Sequence, residues 1–148
     1  MQLLVEADDA ITYVIADDHL TRQLLINLAV NAVEAFEGRL GTVTFRIVTD
    51  PVNGTVELYV EDNGPGVSNE NLRRLYQPFF STKRHGTGLG LAIVHRVAVA
   101  QKLKLSVDSQ LDVGTTFMIE FRLCSGTSVP NADKGMPEPF SAPASSAP

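Results

Sequence analysis

Gly86, Gly88 and Gly90 stand at every second position of the stretch PFFSTKRHGTGLGLAIV, residues 78–94, and run straight into an apolar helical segment. A glycine has no Cβ to keep a ligand away from the backbone N–H groups. A helix beginning there adds its free N-terminal N–H groups and the positive end of its dipole. Lys83 and Arg84 place two full positive charges just ahead. The ligand this combination suits is a polyphosphate. Taken alone, the stretch is equally compatible with an ordinary glycine-rich loop before a helix. It is not the dinucleotide fingerprint, because Leu91 stands where a GxGxxG motif counted from Gly86 needs its third glycine. No GxxxxGK(S/T) loop occurs in the chain either.

A second set of polar residues lies on one helix. Asp17 or Asp18 caps a helix running to about Glu37, with Gly38 beyond it as the stop. Leu20, Leu24, Leu25, Ile26, Leu28, Val30 and Val33 make this helix apolar nearly all round, which predicts that it is buried. Asn27, Asn31 and Glu34 follow at i, i+4 and i+7, so they share one face. An unpaired buried amide costs about 1–3 kcal/mol. The two asparagines therefore either bond a neighbouring loop or wall a polar cavity. In a cavity, an asparagine carbonyl is a hard oxygen donor suited to Mg²⁺.

A third set is Asp62-Asn63-Gly64-Pro65-Gly66-Val67, which as a turn is unremarkable. A carboxylate at the C-terminal end of a core strand can, however, accept a hydrogen bond from the exocyclic amine of adenine. Guanine presents a carbonyl at that point and would be rejected.

The elements that must position these groups follow from alternation and turn residues. Leu3–Ala7 and Ile11–Ala16 read as two short strands around Asp8-Asp9. Thr42–Thr49 and Thr55–Glu61 alternate apolar and polar residues around Asp50-Pro-Val-Asn-Gly54, an antiparallel hairpin. Ser68 caps a short helix to Tyr76. The helix after the glycines continues through Ala92, Val94, Val97 and Ala98 to about Gln101, and strands follow over Lys104–Ser109 and Thr115–Leu123.

At 148 residues and 44% hydrophobic, the chain is long enough for one domain with a real core. A net charge of −5 argues against nucleic acid as a partner. The single Cys124 allows no internal disulfide and fits a reducing, cytoplasmic compartment. No signal-like segment or membrane-length apolar run is present, so no membrane contact is expected, although the chain could be cut from something longer. Beyond Cys124, residues 125–148 hold five of the eight prolines with much Ser and Ala, the composition of a disordered tail.

The pieces together form a resemblance. Asn27-Leu-Ala-Val-Asn31-Ala-Val-Glu34-Ala resembles an N box, and Asp62-Asn-Gly-Pro-Gly66 a first glycine box. Pro78-Phe79-Phe80-Ser-Thr-Lys83 resembles an F box, Gly86-Thr-Gly88-Leu-Gly90-Leu a second glycine box, and Gly114-Thr-Thr-Phe117 the last glycine-threonine motif. In this order they resemble the catalytic ATP-binding domain of bacterial sensor histidine kinases, in the GHKL (Bergerat-fold) superfamily. The PFFSTK wording and the short segment from Gly66 to Gly86 look most like the nitrogen-regulation type. The match covers about residues 3–123.

The resemblance implies an α/β (α+β) two-layer sandwich: a mixed, mainly antiparallel sheet of about five strands with three helices on one face. It implies a catalytic domain over 1–123 and a tail over 124–148. By the same analogy Asp62 selects adenine and Gly64 and Gly66 border the base, while Val67 and Thr115 also belong to the nucleotide site. Asn31 holds Mg²⁺, while Asn27 and Glu34 line the phosphate end. Lys83 and the backbone of Gly86, Thr87, Gly88, Leu89, Gly90 and Leu91 face the phosphates of ATP. Asn27, Asn31 and Lys83 form the implied catalytic set. The segment between Gly66 and Gly86 forms a compact ATP lid, and Phe79 and Phe80 anchor this lid to the core, a role compatible with plain packing.

The chain departs from the family where two glycines usually follow the helix, here Lys102 and Leu103, and where a second glycine usually stands, here Asp112. Altered loop geometry is expected there, with ATP binding intact. Hydrolytic relatives such as DNA gyrase B subunits carry a glutamate base four residues before the metal-binding asparagine. Here that residue is Asn27, and an amide cannot accept a proton at neutral pH. The resemblance therefore implies phosphoryl transfer to a histidine on a dimerisation and phosphoacceptor domain absent from this chain. A response regulator acts downstream, and the isolated chain is expected to be monomeric. The alternative is a non-catalytic ATP-binding regulatory module.

Overall fold

The computed structural model describes residues 1–7, 13–83 and 86–124. Five strands form one sheet in the order β1-β2-β3-β5-β4: β1 (Gln2–Glu6), β2 (Thr42–Asp50), β3 (Thr55–Asp62), β4 (Lys104–Gln110) and β5 (Gly114–Arg122). Only the β1–β2 pair is parallel, as the long crossover between them requires. The remaining pairs are antiparallel. Helices α1 (Asp18–Ala35), α2 (Asn69–Leu72) and α3 (Gly90–Ala100) complete a two-layer α/β sandwich.

Period-2 alternation fixes which side of the sheet is wet. Val56, Leu58 and Val60 on β3 pair with Phe121, Ile119 and Phe117 on β5, and all six are buried under the helices. The β2–β3 hairpin closes where Asp50 accepts the N–H groups of Val52 and Asn53, and Gly54 takes a left-handed φ of 65°. From the helix layer, α3 buries Ala92, Val94, Val97 and Ala98, the face its spacing predicts.

Three expectations change. Residues 11 and 12 lie outside the described set, and Tyr13–Ala16 is not a strand: Val14 makes a single antiparallel bridge to Leu123. Helix α1 buries Leu24, Leu28 and Ala32 but leaves Ile26 62% exposed and Val30 and Val33 also open. In two layers a helix meets the sheet on one side and α3 on another, so its outer side is left open among the described residues. Helix α2 is one turn long; Ser68 does cap it, accepting the Asn71 N–H at 3.3 Å. The predicted tail falls beyond residue 124, outside the described residues.

Two of the positions where the family usually has glycine take glycine-like backbone angles. Lys102 takes φ 56° and Asp112 φ 60°, left-handed angles that glycine adopts freely. The Lys102 N–H donates to Val99 O and the Leu103 N–H to Ala98 O, the bonding of a Schellman motif with lysine in the glycine place. The turn is kept and the side chain bears the strain. Lys102→Gly should therefore stabilise the domain by about 0.5–1 kcal/mol in urea unfolding, the left-handed penalty less glycine's extra chain entropy. A destabilised Lys102→Gly would show that the side chain contributes more than its backbone costs.

Candidate functional site

Asn27, Asn31 and Glu34 on α1, the end of β3 and the glycine stretch enclose one cavity of about 530 Å³, a size that suits a mononucleotide. Three consequences of local sequence build it. The i, i+4, i+7 spacing turns the α1 stripe inward. Asp62 is the last residue of β3, so it reaches the cavity from the strand end. Helix α3 begins at Gly90, and among the described residues no side chain caps it, so its first N–H groups face the cavity that Gly90 and Leu91 line.

At one end, Asp62 Oδ1 accepts the Gly64 N–H at 2.9 Å, and Thr115 lies directly across from Asp62 in the β3–β5 ladder. Burial pushes its carboxyl above the ordinary value, against the pull of the Gly64 and Thr115 N–H groups and the Lys83 ammonium. Gly66 has φ 68°, and a Cβ there would overlap the Gln110 carbonyl oxygen. The loop after Asp62 can thus lie against the β4–β5 turn only because residue 66 is glycine.

At the other end, the Lys83 ammonium lies 3.0 Å from the Asn31 backbone oxygen, 3.0 Å from Asn31 Oδ1 and 3.3 Å from Glu34 Oε2. Three oxygens of hard-donor type thus converge on one positive charge held by the lid. That donor set fits a divalent cation such as Mg²⁺, which takes oxygen ligands and keeps waters in its other positions. Among the described residues no group of three or more His, Cys, Asp or Glu could hold a metal, so such a site would depend on amide and peptide oxygens. Asn27 donates its amide N–H to Gln23 O at 2.7 Å, which turns Oδ1 toward Gly90 at the start of α3.

The lid is held by backbone rather than by both phenylalanine rings. The Phe79 ring is 78% exposed, contrary to the expected anchor. Its N–H instead donates to Gly88 O at 3.0 Å, and a Cβ on Gly88 (φ 67°) would lie 2.5 Å from the Phe79 carbonyl carbon. Phe80 is half-buried, with the Arg74 guanidinium 4.4 Å above its ring. Phe79 has φ 65°, and this turn aims its side chain outward.

Of the residues singled out from sequence, Val67, Gly86, Thr87, Leu89, Leu91 and Thr115 also line the cavity. Gly64 does not; it sits behind Asp62 and bonds it. Arg84 and His85 lie outside the described residues. Sequence reasoning missed Ser109, whose hydroxyl joins Val67, Gly114 and Thr115. The signal was available: Leu105, Val107 and Ser109 alternate on the inward side of β4, and a serine there interrupts an apolar series.

A mixed sheet roofed by helices, with a nucleotide-sized cavity between α1, the β3 end and an uncapped glycine-led helix, defines a class of ATPase domain. Residues 16–125 match the family of histidine kinase-, DNA gyrase B- and HSP90-like ATPases, and the chain belongs to it. It is 36% identical over 120 residues to the sensor histidine kinase ZraS of Escherichia coli strain K12, covering 80% of this chain and 25% of ZraS. Full-length ShkA in complex with AMPPNP superposes with a TM-score of 0.72 at 31% identity, over 84% of this chain and 26% of that one. The nucleotide-free catalytic domain of histidine kinase ThkA gives a TM-score of 0.69 at 29% identity, over 82% and 78%. The fold and family are those of a histidine kinase catalytic domain. The chain spans about a quarter of the length of the curated ZraS relatives it matches. Among the described residues, no helix is long and apolar enough to cross a membrane.

Proposed function

We propose that residues 1–123 bind ATP with Mg²⁺ and donate the γ-phosphoryl group to a histidine on a separate dimerisation and phosphoacceptor domain, with a response regulator downstream. The observation that carries this reading is the polarity of the cavity. A half-buried carboxylate stands at one end, amide and carboxylate oxygens already hold a cation at the other, and free helix N–H groups lie between. In this reading Asp62 takes the adenine amine, while Asn31 and Glu34 would hold the cation in the place the Lys83 ammonium occupies. The ammonium and the N-terminus of α3 then take the phosphates. The cation's chemistry, when bound, is to offset charge on the transferring phosphoryl group.

The position where hydrolytic relatives carry their glutamate base supplies none here. The Asn27 amide is committed to Gln23 O and cannot take a proton. Among the described residues no histidine lines the cavity: His19 lies at the start of α1, and His95 stacks on Tyr76 with ring centroids 5.0 Å apart. A histidine nucleophile is already basic, so transfer to one asks mainly for positioning and charge neutralisation.

Incubation with γ-labelled ATP and Mg²⁺ tests the proposal. The isolated chain is expected to bind the nucleotide and acquire no acid-labile label. The same domain behind a histidine-bearing helical hairpin, in its full-length protein, is expected to acquire it. Stoichiometric acid-labile label on the isolated chain, lost in His85→Ala, would overturn the need for a partner domain.

A further inference from the structure

Ser109 occupies an inward position of β4, where its two inward neighbours Leu105 and Val107 pack against the core. Its hydroxyl has three partners. The Val67 N–H points at Oγ from 2.8 Å, the Gly114 carbonyl oxygen lies at 2.9 Å, and Thr115 Oγ1 lies at 2.9 Å. A serine hydroxyl has one hydrogen and two lone pairs. The carbonyl can only accept, so it takes the hydrogen; the amide can only donate, so it takes one lone pair. The last lone pair faces Thr115, whose hydroxyl must donate.

Thr115 is 6% exposed, lines the cavity, and is the cross-strand partner of Asp62. With its only hydrogen turned back to Ser109, its hydroxyl offers the cavity lone pairs alone. The Asp62 carboxylate beside it is also an acceptor. Rejection of the 6-carbonyl by the carboxylate alone is incomplete, because a 6-oxopurine that shifts in the site offers its N1–H, a donor the carboxylate accepts. A second group that only accepts leaves the 6-carbonyl facing an oxygen.

We infer that Ser109 is a specificity-determining positioning residue: it holds the Thr115 hydroxyl as a pure acceptor next to Asp62, so that the base end of the cavity takes 6-aminopurine nucleotides and rejects 6-oxopurine ones. This rests on the reading of Asp62 as the adenine contact. When Ser109 is removed, the Thr115 hydroxyl is free to turn and donate to the carbonyl.

The test is the ratio of ATP to ITP affinity, since inosine triphosphate carries the carbonyl in place of the amine. Equilibrium titration of the parent chain should show ATP bound at least ~30-fold tighter, the cost of an unpaired buried carbonyl. In Ser109→Ala the ratio should narrow by about tenfold, whatever happens to absolute affinity, and Ser109→Thr, which keeps the hydroxyl, should restore it. Thr115→Val should also narrow the ratio with Ser109 in place, and adding Ser109→Ala to it should change the ratio no further. A Ser109→Ala ratio equal to the parent's overturns the inference and leaves the Asp62 reading standing. Should Ser109→Ala fail to fold, an unchanged ratio in Thr115→Val overturns it instead. A parent that binds ATP and ITP alike overturns both.

Discussion

Asp62→Asn is expected to weaken ATP binding by about 30- to 100-fold, the loss of a charged hydrogen bond together with a mispaired donor. The carboxylate accepts from Gly64 and still has lone pairs for the nucleobase amine. An amide of the same shape keeps one oxygen, so its NH₂ must face either a backbone N–H or the amine. The unliganded fold should survive, because the residue sits at a strand end. Its response to pH gives a second reading of the same group. Burial raises the folded-state pKa of Asp62 above its ordinary value, so the folded chain holds a proton there that the unfolded chain has already lost. The ionised carboxylate therefore costs stability at neutral pH, and that cost disappears as pH falls through the raised folded value. Asp62→Asn has no such titration. Its Tm relative to the parent should be most favourable at pH 7 and should decline toward pH 4. A Tm difference that moves the other way would mean that the N–H bonds outweigh burial. ATP affinity equal to the parent's would remove Asp62 from the base site altogether.

Asn31→Ala is expected to cost ATP affinity about 10- to 100-fold in Mg²⁺, the range for disturbing a metal site, and much less in chelator. The substitution removes Oδ1 but leaves the Asn31 backbone oxygen and Glu34 in place, so the cation loses one of three oxygens rather than its whole site. The unliganded protein should change little, because the Lys83 ammonium keeps its other two partners. Nucleotide titration with and without chelator separates the possibilities. Equal losses under both conditions would make Asn31 a packing residue and leave the Lys83 contact as lid docking alone.

Much of this protein was legible wherever one short stretch carried the information. Alternation over Thr42–Asp62 determined the β2–β3 hairpin and its buried side, because side chains on a strand change face at every residue. The spacing of Asn27, Asn31 and Glu34 determined that they share a face, because a helix repeats about every 3.6 residues. The glycines determined where backbone comes close to backbone: at Gly66 and Gly88 no Cβ could be accommodated.

What only the tertiary structure decided lies between residues far apart in the chain. Lys83 meets Asn31 across 52 residues and Val67 meets Ser109 across 42, and no periodic pattern connects either pair. The outer side of α1 reads as core by composition, yet Ile26, Val30 and Val33 are open, since hydrophobicity says that a face can be buried and only the neighbouring layers say whether it is. Phe79 reads as an anchor, yet the left-handed turn that sets its N–H on Gly88 sends the ring outward. Lys102 reads as a broken helix stop, yet two backbone hydrogen bonds and the packing of Leu103 on the core hold it in the conformation a glycine would take. At Phe79 and Lys102 a local preference of about 1 kcal/mol met backbone hydrogen bonds from the surrounding turn, and these prevailed.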